Sequence, residues 1–352
     1  MSVNAPGAAS RPRPDFSRSL IGRILMTSTG VRREVVLLAM ILVLVAVIPF
    51  YNEYFLRFSN LRILLLANSE IALMAIGMGM LLVVGEVDLS IGSVMGFAGI
   101  VTAICMKEFS LAIPLSILIG MAAAALVGII NGYFIVKVGI NFLIMTLATM
   151  GIVRGLVIVL SEAGVAYLPA AFNKLGQLQV AGLALPVWIT IIVAIILGVL
   201  LAKNRFFRQI YFIGGNPKAA RLVGIAADRI RIFLYVQSAL LAGLAGVLNT
   251  ARFGSAMPSA GTGVEMTVIA ACVLGGCSLA GGQGSIFGVL VGVLFLGLLS
   301  NVLVMLNVAT FWHEPINGLV LILAITLDIL IRKWRDGRRS RALLPRAIAT
   351  RN

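Results

Sequence analysis

Apolar residues in this chain come in long blocks. They show neither the spaced pattern of an amphipathic surface helix nor the alternation of a half-buried strand. A helix crossing the hydrocarbon core of a bilayer needs about 20 such residues, with its backbone groups satisfied inside the segment. Blocks of this kind occupy residues 35–51, 69–85, 89–106, 113–131, 140–160, 186–202, 232–251, 264–279, 286–306 and 311–331. The pattern predicts an all-α, polytopic membrane protein with about ten transmembrane helices. Only the tetrapeptide GEVD lies between the second and third blocks, so a reading with about eight crossings would fuse that pair or drop 264–279. Residues 161–185 are less apolar, contain Gly and Pro, and read as an external loop with room for a short helix.

The polar residues sit where they choose between these readings. Basic side chains crowd into the first 34 residues, the 203–231 loop and the 332–352 tail. An even number of crossings places all three on one face, as the retention of Lys and Arg in cytoplasmic segments requires, and ten crossings also put Lys137 there. The chain therefore divides into a basic cytoplasmic tail (1–34), a transmembrane domain (35–331) and a second basic tail (332–352). Both termini are inside and 203–231 is a cytoplasmic loop. The first apolar block begins too late, and lacks the small-residue cleavage site, for a secretory signal.

Composition sharpens the class. The 352 residues are 60% hydrophobic and 12% charged, with a mean hydropathy of +1.07, against about 45–50% and about 25% in soluble domains. A net charge of +15 would suit a nucleic-acid scaffold, but its confinement to three segments marks topology instead. The three cysteines, Cys105, Cys272 and Cys277, lie in or beside apolar blocks at no metal-ligand spacing and read as small core residues. No G-x-x-x-x-G-K-[ST] loop is present to cradle ATP, and GGCSLAGGQGS lacks the lysine. The single histidine, His313, falls in a loop, and no paired carboxylates or Ser-His-Asp set appear. No cofactor is expected on this chain. It reads as a conduit whose energy comes from elsewhere.

The stretch IGGNPKAARLVGI (213–225) interrupts the oil. It predicts a Gly-Gly-Asn-Pro turn at Gly214 and Gly215, then a short amphipathic helix from Pro217 capped by Asn216. Lys218 and Arg221 carry charge, Ala219, Ala220, Leu222 and Val223 are small or apolar, and Gly224 ends the turn. A cytoplasmic helix with an uncovered apolar face needs either a protein partner or the membrane surface.

Several polar residues lie at or inside the blocks. Asp88 or Ser90 can cap the third helix, where negative charge suits the helix dipole. Arg154 sits mid-helix, where insertion costs about 2.5–3.5 kcal/mol, so it must face a cavity or a partner. Glu265 reads as external, a cap for the eighth helix or a contact for an incoming protein. Asn131, Asn141, Thr146, Thr149, Gln237, Asn249 and Asn301 offer neutral hydrogen bonds. They suit an uncharged, hydroxyl-rich cargo, and equally suit polar helix packing.

The motif K-A-A-x-x-x-G (Lys218, Ala219, Ala220, Gly224) resembles the EAA-type loop by which permeases of ABC importers dock on their ATPase, with Lys218 where the family has Glu. GGNPKAARLVGI and GEVDLSIGSV (85–94) resemble the ribose/xylose/arabinose-type sugar permeases, whose G-I-D-L-S-x-G-S motif commonly has Gly where Glu86 stands. NGYFIVKVGINFLIMTLATMGIVRGL, SAMPSAGTGVEMTVIAACVLGGCSLAGGQGS and FWHEPINGLVLILAITLD follow in family order. The resemblance implies a permease subunit in a bacterial inner membrane, importing a monosaccharide or polyol. It also implies a cytoplasmic ABC ATPase carrying ATP and Mg, a periplasmic sugar-binding protein, and a second permease copy or paralogue. Gly214, Gly215, Asn216, Lys218, Ala219, Ala220, Arg221 and Gly224 would form the ATPase-coupling segment. Asp88, Ser90, Asn131, Asn141, Arg154 and Glu265 are candidates for gate or pathway. An ion-coupled secondary transporter and a branched-chain amino-acid permease of related fold remain alternatives.

Overall fold

The computed structural model describes residues 29–312, with residues 315–316, 318–319, 322–323 and 326 beyond them. His313, most of the 311–331 block and the tails at 1–28 and 327–352 lie outside the described residues.

The apolar blocks fold as helices: α1 (Thr29–Val47), α2 (Phe58–Val84), α3 (Ile91–Lys107), α4 (Ile113–Tyr133) and α5 (Phe142–Ser161). After a short α6 (Ala170–Gln177) and a hairpin of β1 (Gln179–Val180) and β2 (Leu183–Ala184) comes α7 (Leu185–Lys203). The hairpin turns through Ala181 and Gly182, both at positive φ, the geometry that matches strand twist in a two-residue loop. Next come α8 (Arg205–Gly215), α9 (Pro217–Leu222), α10 (Ala227–Phe253), α11 (Val264–Leu274) and α12 (Ile286–Met305). Among the described residues, α2, α4, α5, α7, α10 and α12 are long and apolar enough to cross a membrane by themselves.

The core is built on α2, α3, α4 and α10. Most of α2 is buried. A Cβ on Gly77 of α2 would stand 2.9 Å from the Cα of Ser238 on α10, and one on Gly246 of α10 would run into the Met95 carbonyl on α3. Small residues at these crossings bring the helix backbones together, the packing that works when lipid is as apolar as a side chain. α5 and α7 lie at the outside and expose apolar faces.

Loops that ten crossings assign to one side meet at one end of the bundle. At the first end the Gly282 amide donates to the Val83 carbonyl at 2.8 Å, and Lys137 pairs with Asp228 at 3.3 Å. At the other, Val165 and Ala256 form an isolated β-bridge, Asn52 Nδ2 donates to the Met305 carbonyl at 3.1 Å, and Arg62 Nη1 to Gln179 Oε1 at 2.8 Å.

Besides α1, which begins at Thr29 and not 35, three elements depart from the sequence reading. α2 begins at Phe58, not 69, and α10 at Ala227, not 232, because polar residues in their first two turns, Asn60 and Arg231, find partners inside the bundle. The eighth segment, expected to run over 264–279, stops at Leu274, since the Gly275–Gly276 turn closes it. Its 11 residues rise only about 17 Å at about 1.5 Å each, too little to cross. Irregular chain at 254–263 makes up the distance. It packs against the first turns of α3, where a Cβ on Gly96 would meet the Ala260 carbonyl at 2.8 Å.

Candidate coupling surface and membrane polar network

The α8–α9 segment is an exposed handle on the first end of the bundle. Asn204 caps α8, accepting from the Phe206 amide at 2.8 Å, and Phe207, Ile210 and Ile213 bury one face. Tyr211 donates its hydroxyl proton to the Gly284 carbonyl at 2.8 Å; burial raises its pKa. Gly214 and Gly215 are the last residues of α8, not the turn the sequence suggested. A side chain on Gly214 would strike the Val83 carbonyl, so this glycine faces inward and docks the handle on the end of α2.

Asn216 caps α9 by accepting from the Ala219 amide at 3.0 Å, with Pro217 in the first turn. Gly224, at φ +80°, reverses the chain. Its own amide donates to Arg221, and the Ile225 amide to Ala220, so the last carbonyls are satisfied. A helix of six residues does not stand alone in water. Ala220 buried beneath it and the Arg221–Asp228 pair (3.6 Å) hold it in place. On the outside Leu222 is 88% and Val223 75% exposed, flanked by exposed Lys218, Ala219 and Arg221. The outward surface thus includes two residues absent from the candidate list and excludes Gly214.

Behind the handle lies a buried chain of hydrogen bonds. Asp88 Oδ1 accepts from the Ser90 amide (2.9 Å) and hydroxyl (2.6 Å). Asn131 of α4 donates to Ser90 Oγ at 3.0 Å and accepts from Thr149 Oγ1 of α5 at 2.6 Å. Asp88, Ser90 and Asn131 are fully buried. Asp88 therefore fastens three elements together, and the expected capping of α3 is confined to the Ser90 amide; Ser90 itself makes no side-chain cap.

Glu86, in the same loop, accepts from Arg231 of α10 in a second buried link, with Nε at 2.6 Å from Oε1. Glu70 of α2 accepts from Asn249 (2.7 Å) and Arg252 (3.4 Å) of α10. Sequence reasoning singled out only Arg154 as intramembrane charge and missed both pairs. Their partners are 145 and 182 residues away, beyond any local pattern. Glu70 escaped because α2 was begun just before it.

Arg154 donates through Nη1 to the carbonyls of Pro258 and Ala260, at 2.8 Å each. It thereby satisfies irregular backbone that α11 leaves without helical partners. Glu265, in the first turn of α11, lies beside Gly92 of α3 and acts electrostatically on Arg154. It sits within the bundle, not at the external rim, and the N-cap of α11 is Gly263. Asn141 caps α5 through the Leu143 amide at 2.9 Å and stands apart from the network. Thr146 bonds to the Phe142 carbonyl, and Asn301 exchanges two amide bonds with Asn60. These neutral groups serve helix packing. The three cysteines are free and buried.

Residues 60–325 match the family described as Branched-chain amino acid transport system / permease component. Among curated proteins, the L-arabinose ABC transporter permease of Azospirillum brasilense is 38% identical over 84% of this chain and 87% of its own length. The L-arabinose transport system permease of Escherichia coli K12 is 40% identical over 78% of this chain and 84% of its own length. The ribose import permease of the same strain is 36% identical over 89% and 98%. No solved structure gives a significant match. The match over most of the described fold, together with the ordered motifs, places the chain: it belongs to this family of ABC-transporter permease components.

Proposed function

We propose that the chain is the membrane-spanning subunit of an ABC importer for a monosaccharide or related polyol, driven by a separate cytoplasmic ATPase that grips α9. The observation that carries this is the uncovered Leu222–Val223 tip, braced by Arg221–Asp228–Lys137 and offered by a family member whose relatives are named arabinose and ribose permeases. The end of the bundle bearing α8 and α9 faces the cytoplasm, because the Lys203–Arg231 cluster lies on it. Both termini share that side. A periplasmic sugar-binding protein delivers cargo to the opposite end, and a second permease, identical or paralogous, completes the pathway. The membrane is a bacterial inner membrane.

An uncharged cargo fits the charges inside the fold. Among the described residues, Glu70 and Glu86 are bonded to arginines of the same chain, Asp88 is bonded to Ser90, and Arg154 is held by backbone carbonyls, so no row of unengaged charge awaits an ion. The half-helix α11 and the irregular chain before it bring backbone amides and carbonyls to mid-bundle, a construction transporters use where a pathway passes. ATP acts by favouring one of two arrangements of the handle. The energy available to the pathway is the difference in ATPase binding between them.

The test is uptake by proteoliposomes containing this chain, its ATPase and binding protein. ATP inside the vesicle equivalent of the cytoplasm should drive entry of radiolabelled pentose, while chain without ATPase gives none. Uptake driven by an ion gradient in the absence of the ATPase would overturn the reading.

A further inference from the structure

We propose that the Glu86–Arg231 ion pair is the positioning contact that carries movement of the handle into the membrane polar network, setting how tightly ATP hydrolysis is tied to transport. This rests on the importer reading above. The linkage has no slack. Ile225 is bonded to Ala220, and Ala227 to Ile225, so α9 runs into α10 through three short backbone bonds including Gly224 to Arg221. Asp228, in the first turn of α10, holds Arg221 of the handle and Lys137 beyond α4. Arg231 follows on the next turn and grips Glu86, whose side chain is 7% exposed against 22% for the arginine. Glu86 stands two residues before Asp88 in a loop of six, and Asp88 leads through Ser90 and Asn131 to Thr149 on α5.

A displaced α9 therefore moves the start of α10, and the start of α10 pulls the α2–α3 loop by a charged tether. Burying such a pair is not an economical way to stabilise a fold, since apolar side chains of similar size do as well; a directional link is a better reason for it. The link has a second contact on the same helix. The hydroxyl of Tyr235, one helical turn beyond Arg231 on α10, is buried in the same place, next to the Glu86 carboxylate. The hydroxyl is a donor, the carboxylate oxygens are acceptors, and Glu86 and Asp88 are among its electrostatic neighbours. Glu86 is thus held between two side chains of α10, Arg231 and Tyr235, and a shift of α10 changes its hold on both. Two discrete arrangements of one packed element are what coupling between distant sites requires.

Sugar uptake and ATP hydrolysis measured on the same proteoliposomes, with the full importer, test this. Glu86→Gln and Tyr235→Phe should each lower sugar carried per ATP by about fivefold or more, the size typical of a coupling free energy. ATP turnover per complex should stay near that of the unsubstituted importer. The exchange Glu86→Arg with Arg231→Glu should regain part of the coupling. A purely structural pair would lower transport and hydrolysis in the same proportion, leaving their ratio unchanged, and that result would overturn the proposal. The apolar double variant Glu86→Leu with Arg231→Met keeps the proposal testable where single variants fail to fold. It should assemble and hydrolyse ATP while transporting poorly, and normal coupling in it would refute the tether. No uptake by the unsubstituted importer would remove the importer reading and this inference together. Uptake with unaltered coupling in the variants removes the inference alone.

Discussion

Two glycines, a leucine and an arginine show how much single residues decide here. Gly214 and Gly224 lie ten residues apart in one motif and do opposite jobs: the first lets the handle touch the Val83 carbonyl, the second turns the chain in open space at φ +80°. Gly214→Val should cost about 1–3 kcal/mol through overpacking and lower the melting temperature of the purified chain in detergent. Gly224→Ala should cost about 1–2 kcal/mol locally, because an L side chain resists the left-handed region. A bulkier residue at Gly224 should leave insertion intact yet abolish ATPase capture in a pull-down. Leu222→Asp changes a side chain that touches little of its own chain, so folding should be unaffected while ATPase association weakens by about 2 kcal/mol or more, as for a buried interface anchor. Arg154→Met would leave the Pro258 and Ala260 carbonyls without their donor, at about 1–3 kcal/mol for each unsatisfied group. Thermal unfolding in detergent measures that loss, and Arg154→Lys should recover part of it.

At the scale of elements, what the sequence made legible was what is local. Asn216, Pro217 and Gly224 specify a helix start and stop within a few residues, and the structure has α9 where those signals stand. The apolar blocks give helices because their length matches the bilayer. Glycine turns were harder. Gly-Gly at 214–215 closes a helix, and Gly-Gly at 275–276 cuts α11 short, and only the neighbouring backbone separates the two outcomes. Polar residues at helix ends misled for a physical reason: Asn60, Glu70 and Arg231 look like loop residues until Asn301, Asn249 and Glu86 arrive from distant segments to satisfy them. The buried chain from Asp88 to Thr149 was legible as separate polar residues and invisible as a chain. Asn131→Ala should break it at its centre, with a stability loss of about 1–3 kcal/mol as Thr149 loses its acceptor and Ser90 Oγ its donor.

For the whole molecule, the fold separates a handle from a conduit and joins them through α10. Among the described residues, the loops assigned to one side of a ten-crossing topology meet at one end, and the handle stands on the end richest in Lys and Arg. The positive-inside bias is the ground for proposing that this end is cytoplasmic, where the proposed ATPase would reach it. Cys105, Cys272 and Cys277 are buried, so a cysteine added to the handle is the accessible thiol among the described residues. The most direct measurement is labelling of Leu222→Cys by a membrane-impermeant maleimide in sealed vesicles of known orientation. The account predicts modification in inside-out vesicles, none in right-side-out vesicles, and protection when the ATPase is bound. Modification from the periplasmic face, unaffected by the ATPase, would contradict it.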